Sequence, residues 1–241
     1  MLALHCDLIS EYIAFQRGQI NKYDKETIRK LFKYLQPFKM SVTQKEHIGL
    51  SDELIKSLVD GGFVKIRRFV NEKELIESTK LKIMLTKDSE DGTYPYPYIN
   101  ILNDEVDVSF TATYKSGDDR DKAIEHIRAL LLDANEISIY DRYLSKINYS
   151  SNSWDTNKLL LLNILPRKAV DINIYCQDDW NINRENDLLS IYSEWSINRE
   201  EWGRNIHDRY IETDKVIILL SSGLINLASI SKDFTYIIKV K

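Results

Sequence analysis

The chain has 241 residues, of which 43% are hydrophobic and 29% are charged, and its formal net charge is −4. This apolar content excludes an intrinsically disordered chain, and the acidic surplus argues against a general polyanion binder, which needs an excess of Lys and Arg. No run of about 18 apolar residues is present, so no membrane-spanning helix is predicted. Two distant cysteines, Cys6 and Cys176, and an N-terminus without a basic segment predict a cytoplasmic protein without a signal peptide or a disulfide framework.

Residues 1–80 are predicted to form a mainly helical, winged-helix-like part. Apolar residues recur every three or four positions over residues 3–16, and a second helix is predicted over residues 24–36. A third helix is predicted to begin after Ser51, whose hydroxyl can cap it. These helices make the N-terminal part a candidate for binding a partner protein.

The third helix is predicted to stop at Gly61-Gly62, before the alternating segment FVKIRRFV, which is typical of a strand. A helix, a glycine turn and a strand in this order occur near the wing of a winged helix. Two interpretations remain open: a DNA-binding or partner-binding unit whose basic residues face phosphates, or a helical cap with a solvated basic strand face. The basic residues are Lys65, Arg67 and Arg68.

Residues 81–241 are predicted to form an α/β domain. Apolar strand patterns and helical patterns alternate, and the runs ISIY, INIY and VIILL are expected to be central strands of one sheet. From residue 136 the predicted order is strand 136–144, helix 155–168, strand 170–176, helix 184–202, strand 205–214 and strand 215–222.

One constellation in this domain has a spacing that suits chemistry on a phosphate. His207 and Arg209 are two residues apart on a predicted strand, so they face the same side and direct an imidazole and a cation toward one group. Asp214, Ser221 and Ser222 then fall at strand ends. An isolated His-x-Arg would more often be an ordinary strand histidine beside an ion pair, but here the spacing of all five residues agrees.

This spacing resembles the pattern His-x-Lys-x4-Asp-x6-Gly-Ser of the phospholipase D superfamily, with Arg209 in place of Lys and Ser221 in place of Gly. The elements over residues 137–241 resemble one half-repeat of that superfamily. Asp141 and Tyr143 also match the Asp-x-Tyr that follows the first strand in the C-terminal phospholipase D-like domain of midbody proteins with a microtubule-interacting and trafficking domain. The resemblance extends over about residues 105–241 and contains no long identical stretch.

The resemblance implies a phospholipase D-like α/β sandwich domain and a metal-independent phosphodiesterase or nuclease without a cofactor. One histidine would attack phosphorus and become a phosphohistidine, and another would protonate the leaving oxygen. Small chains with an accessory domain of this kind are typical of bacterial antiviral defence. The implied catalytic residues are His207, Arg209 and Asp214, and the implied substrate-binding residues are Asp141, Tyr143, Ser221 and Ser222.

The sequence departs from the family pattern, and these departures leave non-catalytic functions open. Only one motif is present, so two histidines would meet only if a homodimer brought His207 from each subunit across a two-fold axis. Leu224 stands where an Asn is usual, and Gly223 follows the serines instead of preceding them. The alternatives are a non-catalytic, dimerising module that binds phosphate or nucleic acid, and an N-terminal DNA-binding regulator that the C-terminal domain dimerises.

Lipid is a weaker substrate prediction than nucleic acid. The chain is acidic and offers no basic amphipathic helix, so no membrane insertion is expected. No HExxH, no glycine-rich phosphate loop and no Cys/His cluster at zinc spacing is present, so no metal site is predicted.

Overall fold

A computed structural model describes residues 2–33, 38–62, 69–87, 94–103, 109–145, 153–177, 180–203 and 208–241. Helices and strands alternate through these residues, which confirms the prediction of an α/β protein. The chain divides into two compact units, Met1–Asp107 and Val108–Lys241. No helix among the described residues is long and apolar enough to cross a membrane.

The first unit combines short helices with a small parallel sheet in the order β1-β2-β3. Helix α1 buries Leu8, Ile9 and Tyr12. The elements are β1 (Ala3–Leu4), α1 (Cys6–Gln16), a 3₁₀ turn (Ile20–Lys22), α2 (Lys25–Lys33), α3 (Val42–Ile48), α4 (Asp52–Asp60), α5 (Glu72–Glu77), β2 (Met84–Thr86) and β3 (Tyr98–Asn100).

The predicted cap of the third helix is confirmed. The hydroxyl of Ser51 accepts a hydrogen bond from the backbone N–H of Leu54 at 3.3 Å, and α4 ends at the Gly61 turn. The winged-helix interpretation depends on the segment that follows, and residues 63–68, with Lys65, Arg67 and Arg68, lie outside the described residues.

The chain divides into its two compact units after Asp107, whereas the sequence predicted a boundary after residue 80. Strands β2 and β3 belong to the first unit because β2 pairs in parallel with both β1 and β3. A pairing between residues 3 and 84 is long-range, so a local pattern of apolar residues does not reveal it.

The second unit is built on a seven-stranded sheet in the order β4-β10-β9-β8-β5-β6-β7. The neighbours β5, β6 and β7 are parallel, and every other pair in the sheet is antiparallel. Helices α7 and α8 provide the crossover connections that parallel neighbours require. The elements are β4 (Ser109–Tyr114), α6 (Asp121–Leu132), β5 (Glu136–Tyr140), α7 (Ser153–Ile164), β6 (Val170–Cys176), α8 (Ile182–Leu189), β7 (Trp195–Glu201), β8 (Arg209–Thr213), β9 (Val216–Leu220), α9 (Ile225–Ala228) and β10 (Phe234–Val240).

The two faces of this sheet differ in burial. One face carries the core: His126 of α6 is fully buried there, and its Nδ1 lies 2.8 Å from the hydroxyl of Tyr236 on β10. Helix α7 packs against α6, α8 and α9, so the described helices of this unit cover that same face. The core face is dominated by strand residues that are fully buried, which include Ile137, Ile139, Ile172, Ile174, Ile211, Ile218, Phe234, Tyr236 and Ile238.

The prediction of one helix over residues 184–202 is wrong. Helix α8 ends at Leu189, where the hydroxyl of Ser190 bonds the carbonyl of Asp187, and residues 195–201 form the edge strand β7. Ile191 and Trp195 have helical spacing, but Trp195 instead lies on the core face and donates its indole N–H to the carbonyl of Pro166 at 2.9 Å. An edge strand buries little, so its other residues are polar except for Ile197 and give no clear strand pattern.

Candidate functional site

Three strands bring the predicted site residues to one end of the large sheet. Asp141 follows β5, Arg209 begins β8, and Ser221 follows β9. In the antiparallel register Tyr140 pairs with Tyr210, and Arg209 pairs with Leu220. The carboxyl ends of β5 and β9 therefore lie beside the amino end of β8.

Asp141 is the buried centre of this end, with 2% of its surface exposed. Its Oδ2 accepts the backbone N–H of Leu224 at 2.7 Å, and its Oδ1 accepts the backbone N–H of Tyr143 at 3.0 Å. Burial raises the pKa of the Asp141 carboxyl, and these two N–H groups together with Arg209 oppose that rise. The carboxyl thus connects the turn after β5 to the turn after β9.

Gly223 makes room for this carboxyl. A Cβ at position 223 would lie 3.0 Å from Oδ2 of Asp141, which is closer than side chains normally approach. A side chain at the position after the serine pair would therefore press against the carboxylate, which favours glycine there. In the sequence this glycine stood out only as a departure from the family motif.

Arg209 extends from the buried carboxyl toward the surface. Its Nε lies 3.7 Å from Oδ1 of Asp141, and 30% of the side chain is exposed. This separation is an ion pair but is too long for a hydrogen bond, and the buried Nε has no hydrogen-bond partner among the described residues. Asp141 therefore holds the guanidinium electrostatically, without a hydrogen bond to Nε.

Tyr143 lies between two cations. The guanidinium carbons of Arg142 and Arg209 are each 5.6 Å from the centroid of the Tyr143 ring, within the range of a cation–π contact. Arg142 also donates from Nε to Oε1 of Gln177 at 3.1 Å, and the Tyr143 side chain is exposed. We call Arg142, Tyr143 and Arg209 the Arg–Tyr cluster. Sequence reasoning identified two of its members and missed the role of Arg142, although it stands between Asp141 and Tyr143.

The two serines differ. Ser221 completes the pairing of β9 with β10, because its N–H donates to the carbonyl of Thr235 and its hydroxyl accepts the N–H of Thr235, both at 2.9 Å. The hydroxyl of Ser222 is buried and has no hydrogen-bond partner among the described residues. The Ser221 hydroxyl therefore has a structural role in the sheet, whereas the part of the chain that the structure describes assigns no such role to the Ser222 hydroxyl.

The structure does not bring Asp214 to this end of the sheet. Asp214 is exposed in the turn between β8 and β9, and the length of β8 separates it from Arg209, roughly 15 Å at the usual rise per residue. His207 lies outside the described residues, so the described site contains Asp141, Tyr143, Arg209, Ser221 and Ser222 of the predicted set. Among the described residues, no group of three His, Cys, Asp or Glu side chains is placed to hold a metal ion.

Comparisons with known proteins do not assign the chain to a family. No protein-family model matches it, and no curated protein matches it. A solved structure of TrmBL2, described as an archaeal chromatin protein with a novel mode of DNA binding, is similar at 11% identity and a TM-score of 0.30, over 58% of this chain and 49% of that one. Polyphosphate kinase from Porphyromonas gingivalis is similar at 8% identity and a TM-score of 0.34, over 55% of this chain and 21% of that one. This chain thus matches less than half of either protein, and at these TM-scores neither similarity supports an argument about fold or function.

Proposed function

We propose that the second unit binds a phosphodiester at the Arg–Tyr cluster, with nucleic acid as the ligand class. The observation that carries the proposal is Arg209, whose guanidinium is held by a buried carboxylate while 30% of the side chain remains exposed. A positioned guanidinium offers phosphate paired hydrogen bonds in a fixed geometry. The chain as a whole is acidic, so this local arrangement supplies the positive charge that composition does not.

The charges of the site favour an anion. Arg142 and Arg209 contribute two positive charges and Asp141 one negative charge, which leaves a local surplus of one positive charge. The exposed side chain of Tyr143 contacts both Arg142 and Arg209 through its ring and so keeps the two cations close together at the surface. The buried hydroxyl of Ser222 adds a polar group near Asp141 that lacks a partner among the described residues.

The test is oligonucleotide binding measured by fluorescence anisotropy with EDTA present. Arg209→Gln removes one of the two positive charges of the cluster and is expected to weaken the binding of a labelled single-stranded oligonucleotide by about tenfold. Arg128→Gln, on the exposed face of α6 beside Glu125, removes the same charge elsewhere and is the matched control. Equal affinities for both variants and the wild type would contradict the proposal.

A second candidate, metal-independent cleavage at the same site, is favoured by the His207-x-Arg209 spacing. By resemblance to the phospholipase D superfamily, an imidazole nitrogen of His207 would form a bond to phosphorus while the bond to the leaving oxygen breaks. A second histidine, His207 of another copy, would donate the proton to that oxygen, and water would then hydrolyse the phosphohistidine. On the same resemblance we propose a homodimeric, cytoplasmic effector of bacterial defence.

Cleavage is tested on single-stranded DNA, double-stranded DNA and RNA in EDTA, with wild type and His207→Ala. Products from the wild type alone would support the histidine mechanism. If oligonucleotide binding depends on Arg209 and neither protein cleaves, the second unit is a binding module. Cleavage that persists in His207→Ala would refute the histidine mechanism.

A further inference from the structure

The sheet of the second unit has a second face, opposite its core. Residues on this face alternate with the buried core residues along each strand, and the described helices of the unit lie on the other side. We call it the open face. Its side chains are partly exposed, whereas those of the core face are mostly fully buried.

A continuous row of large side chains crosses the centre of the open face. The strand register places one residue from each of five adjacent strands at the same level. We call it the central row, and in strand order it consists of Tyr175, Tyr140, Tyr210, Leu219 and Ile237. Five such residues in line on one partly exposed face form an apolar surface that water solvates poorly.

The three tyrosines of this row are already stacked on one another. The ring of Tyr140 lies 4.1 Å from that of Tyr175 with an angle of 8° between planes, and 4.0 Å from that of Tyr210 with an angle of 19°. Both faces of the Tyr140 ring are therefore covered. A nucleobase needs a free ring face on which to stack, so the central ring of this row offers none to nucleic acid.

The charges around the row also disfavour a polyanion. The β5, β6 and β7 side of the open face carries carboxylates, whereas β10 on the opposite side carries Lys239. The carboxylates are Glu136, Asp171 and Glu200. The carboxylates on one half of the open face would repel the phosphate backbone of a nucleic acid. A partner that places its basic side chains over these carboxylates and its acidic side chains over Lys239 would be attracted.

We infer that two copies of this chain pair through their open faces, about a two-fold axis that runs along β8. Strand β8 is the middle strand of the seven, so such an axis sets β9 of one copy over β5 of the other and β10 over β6. Leu219 then meets Tyr140 of the second copy, and Tyr210 meets its own counterpart. The aliphatic half of each row covers the aromatic half of the other.

The same axis pairs opposite charges. Lys239 on β10 lies level with Asn173 on β6 of the second copy, and Asp171 is two residues, or roughly 7 Å, further along that strand, within the length of a lysine side chain. Glu212 lies on the axis strand, but its carboxylate is 2.6 Å from the ammonium of Lys241 of its own chain, so the two copies of Glu212 do not oppose each other as bare charges. Each copy contributes the same surface to this isologous contact. Neither copy therefore keeps an open face to which a third copy could bind.

The size of the face suits such an interface. Seven strands span about 34 Å across and five residues about 17 Å along the strands, or roughly 600 Å². This flat area approaches the ~800 Å² of accessible surface that each partner contributes to a standard interface, and raised side chains add to it. Two sheets would then pack face to face, as in a β-sandwich.

The test is sedimentation velocity of the full chain without nucleic acid, from about 1 to about 100 μM. The wild type is expected to dimerise, and Leu219→Glu, which places a charge against Tyr140 of the second copy, is expected to weaken the dimer at least tenfold. Leu159→Glu makes the same substitution at an exposed leucine of α7, on the other side of the sheet, and is expected to leave the dimer intact. A wild type that stays monomeric, or a dimer that Leu219→Glu leaves unchanged, would overturn the inference.

Two further variants keep the inference testable if Leu219→Glu does not fold. Tyr210→Cys sets a thiol on the two-fold axis and is expected to form a disulfide between copies under oxidising conditions, whereas Ser196→Cys is expected to form none. Lys239→Glu is expected to weaken the dimer, and adding Asp171→Lys to the same chain is expected to restore it. Absence of the Tyr210→Cys cross-link or of this restoration would exclude the proposed axis.

Because these experiments contain no oligonucleotide and alter no residue of the Arg–Tyr cluster, their outcome is independent of the proposed phosphodiester site. Binding of single-stranded oligonucleotide by a monomeric wild type, lost in Tyr140→Ala and kept in Arg209→Gln, would overturn the pairing and assign the open face to nucleic acid instead.

Discussion

The two ends of strand β8 satisfy their polar groups in different ways. At the Asp214 end, the hydroxyl of Thr213 accepts the backbone N–H groups of Lys215 and Val216, and the turn is self-contained. At the Arg209 end, a buried carboxylate holds two turns together, while a guanidinium nitrogen and a serine hydroxyl lack partners among the described residues. Buried polar groups are normally satisfied, and these two exceptions lie at the end of β8 where we propose the phosphodiester site.

The largest expected difference between the two ends is in stability. Asp141→Ala leaves the buried N–H groups of Leu224 and Tyr143 without an acceptor and removes the counter-charge of Arg209, which is expected to cost about 2 to 4 kcal/mol of unfolding free energy. Asp214→Ala, at the exposed end, is expected to change it by less than about 0.5 kcal/mol. Urea unfolding of both variants measures the difference, and equal costs would show that Asp141 has no special structural role.

The glycine at the Arg209 end is the next most sensitive position. Gly223→Val directs a branched side chain at the Asp141 carboxyl, where a Cβ alone already lies at 3.0 Å from Oδ2. We expect a loss of about 1 to 3 kcal/mol, since the carboxyl or the turn must move. Thermal unfolding monitored by circular dichroism is the measurement, and Gly223→Ala is expected to cost less. An unchanged melting temperature in Gly223→Val would contradict the close packing.

The pH dependence of stability tests the burial of Asp141. Burial raises the native pKa of this carboxyl above its ordinary value of 3.8. A raised native pKa means that the contribution of Asp141 to stability is greatest below pH 3.8 and falls as the pH rises through the native pKa. The stability of the wild type relative to Asp141→Asn is therefore expected to decrease with rising pH in that window and to be constant above it. An increase over the same window would show that the native pKa is lowered.

The smallest expected contrast lies between the two adjacent serines. Ser221→Ala removes the acceptor of the Thr235 N–H and is expected to cost about 1 kcal/mol. Ser222→Ala removes a buried hydroxyl that has no partner among the described residues, and is expected to be neutral or stabilising by up to about 1 kcal/mol. Chemical unfolding of the two variants measures the difference in their unfolding free energies. A larger loss of stability for Ser222→Ala would indicate that the Ser222 hydroxyl has an essential partner.

The sequence predicts the α/β class and the central strands well, because buried strands such as ISIY and VIILL are continuous apolar runs. It does not predict β7, whose edge position leaves it polar, or the order of the strands. β5 lies between β8 and β6 through pairings that are distant along the chain, and a local pattern carries no information about them. The row formed by Tyr140, Tyr175 and Tyr210 becomes visible only in that order.

The candidate site was predicted in part for the same reason. Arg209, Asp141 and Tyr143 follow from their motif positions, and the structure brings them together. Asp214 matches the family spacing along the chain, but a five-residue strand separates it from Arg209 in space. The close approach of Gly223 to Asp141 depends on the neighbouring ends of β5 and β9, which only the three-dimensional register provides.

The salt dependence of oligonucleotide binding tests the phosphodiester proposal most directly. The logarithm of the binding constant falls with the logarithm of salt concentration in proportion to the phosphates that the protein contacts. Arg209→Gln is expected to reduce this slope by roughly 0.7 to 1 relative to the wild type, whereas the surface control Arg128→Gln is expected to leave it unchanged. A slope that Arg209→Gln does not alter, or one that Arg128→Gln alters equally, would contradict a phosphate site at the Arg–Tyr cluster.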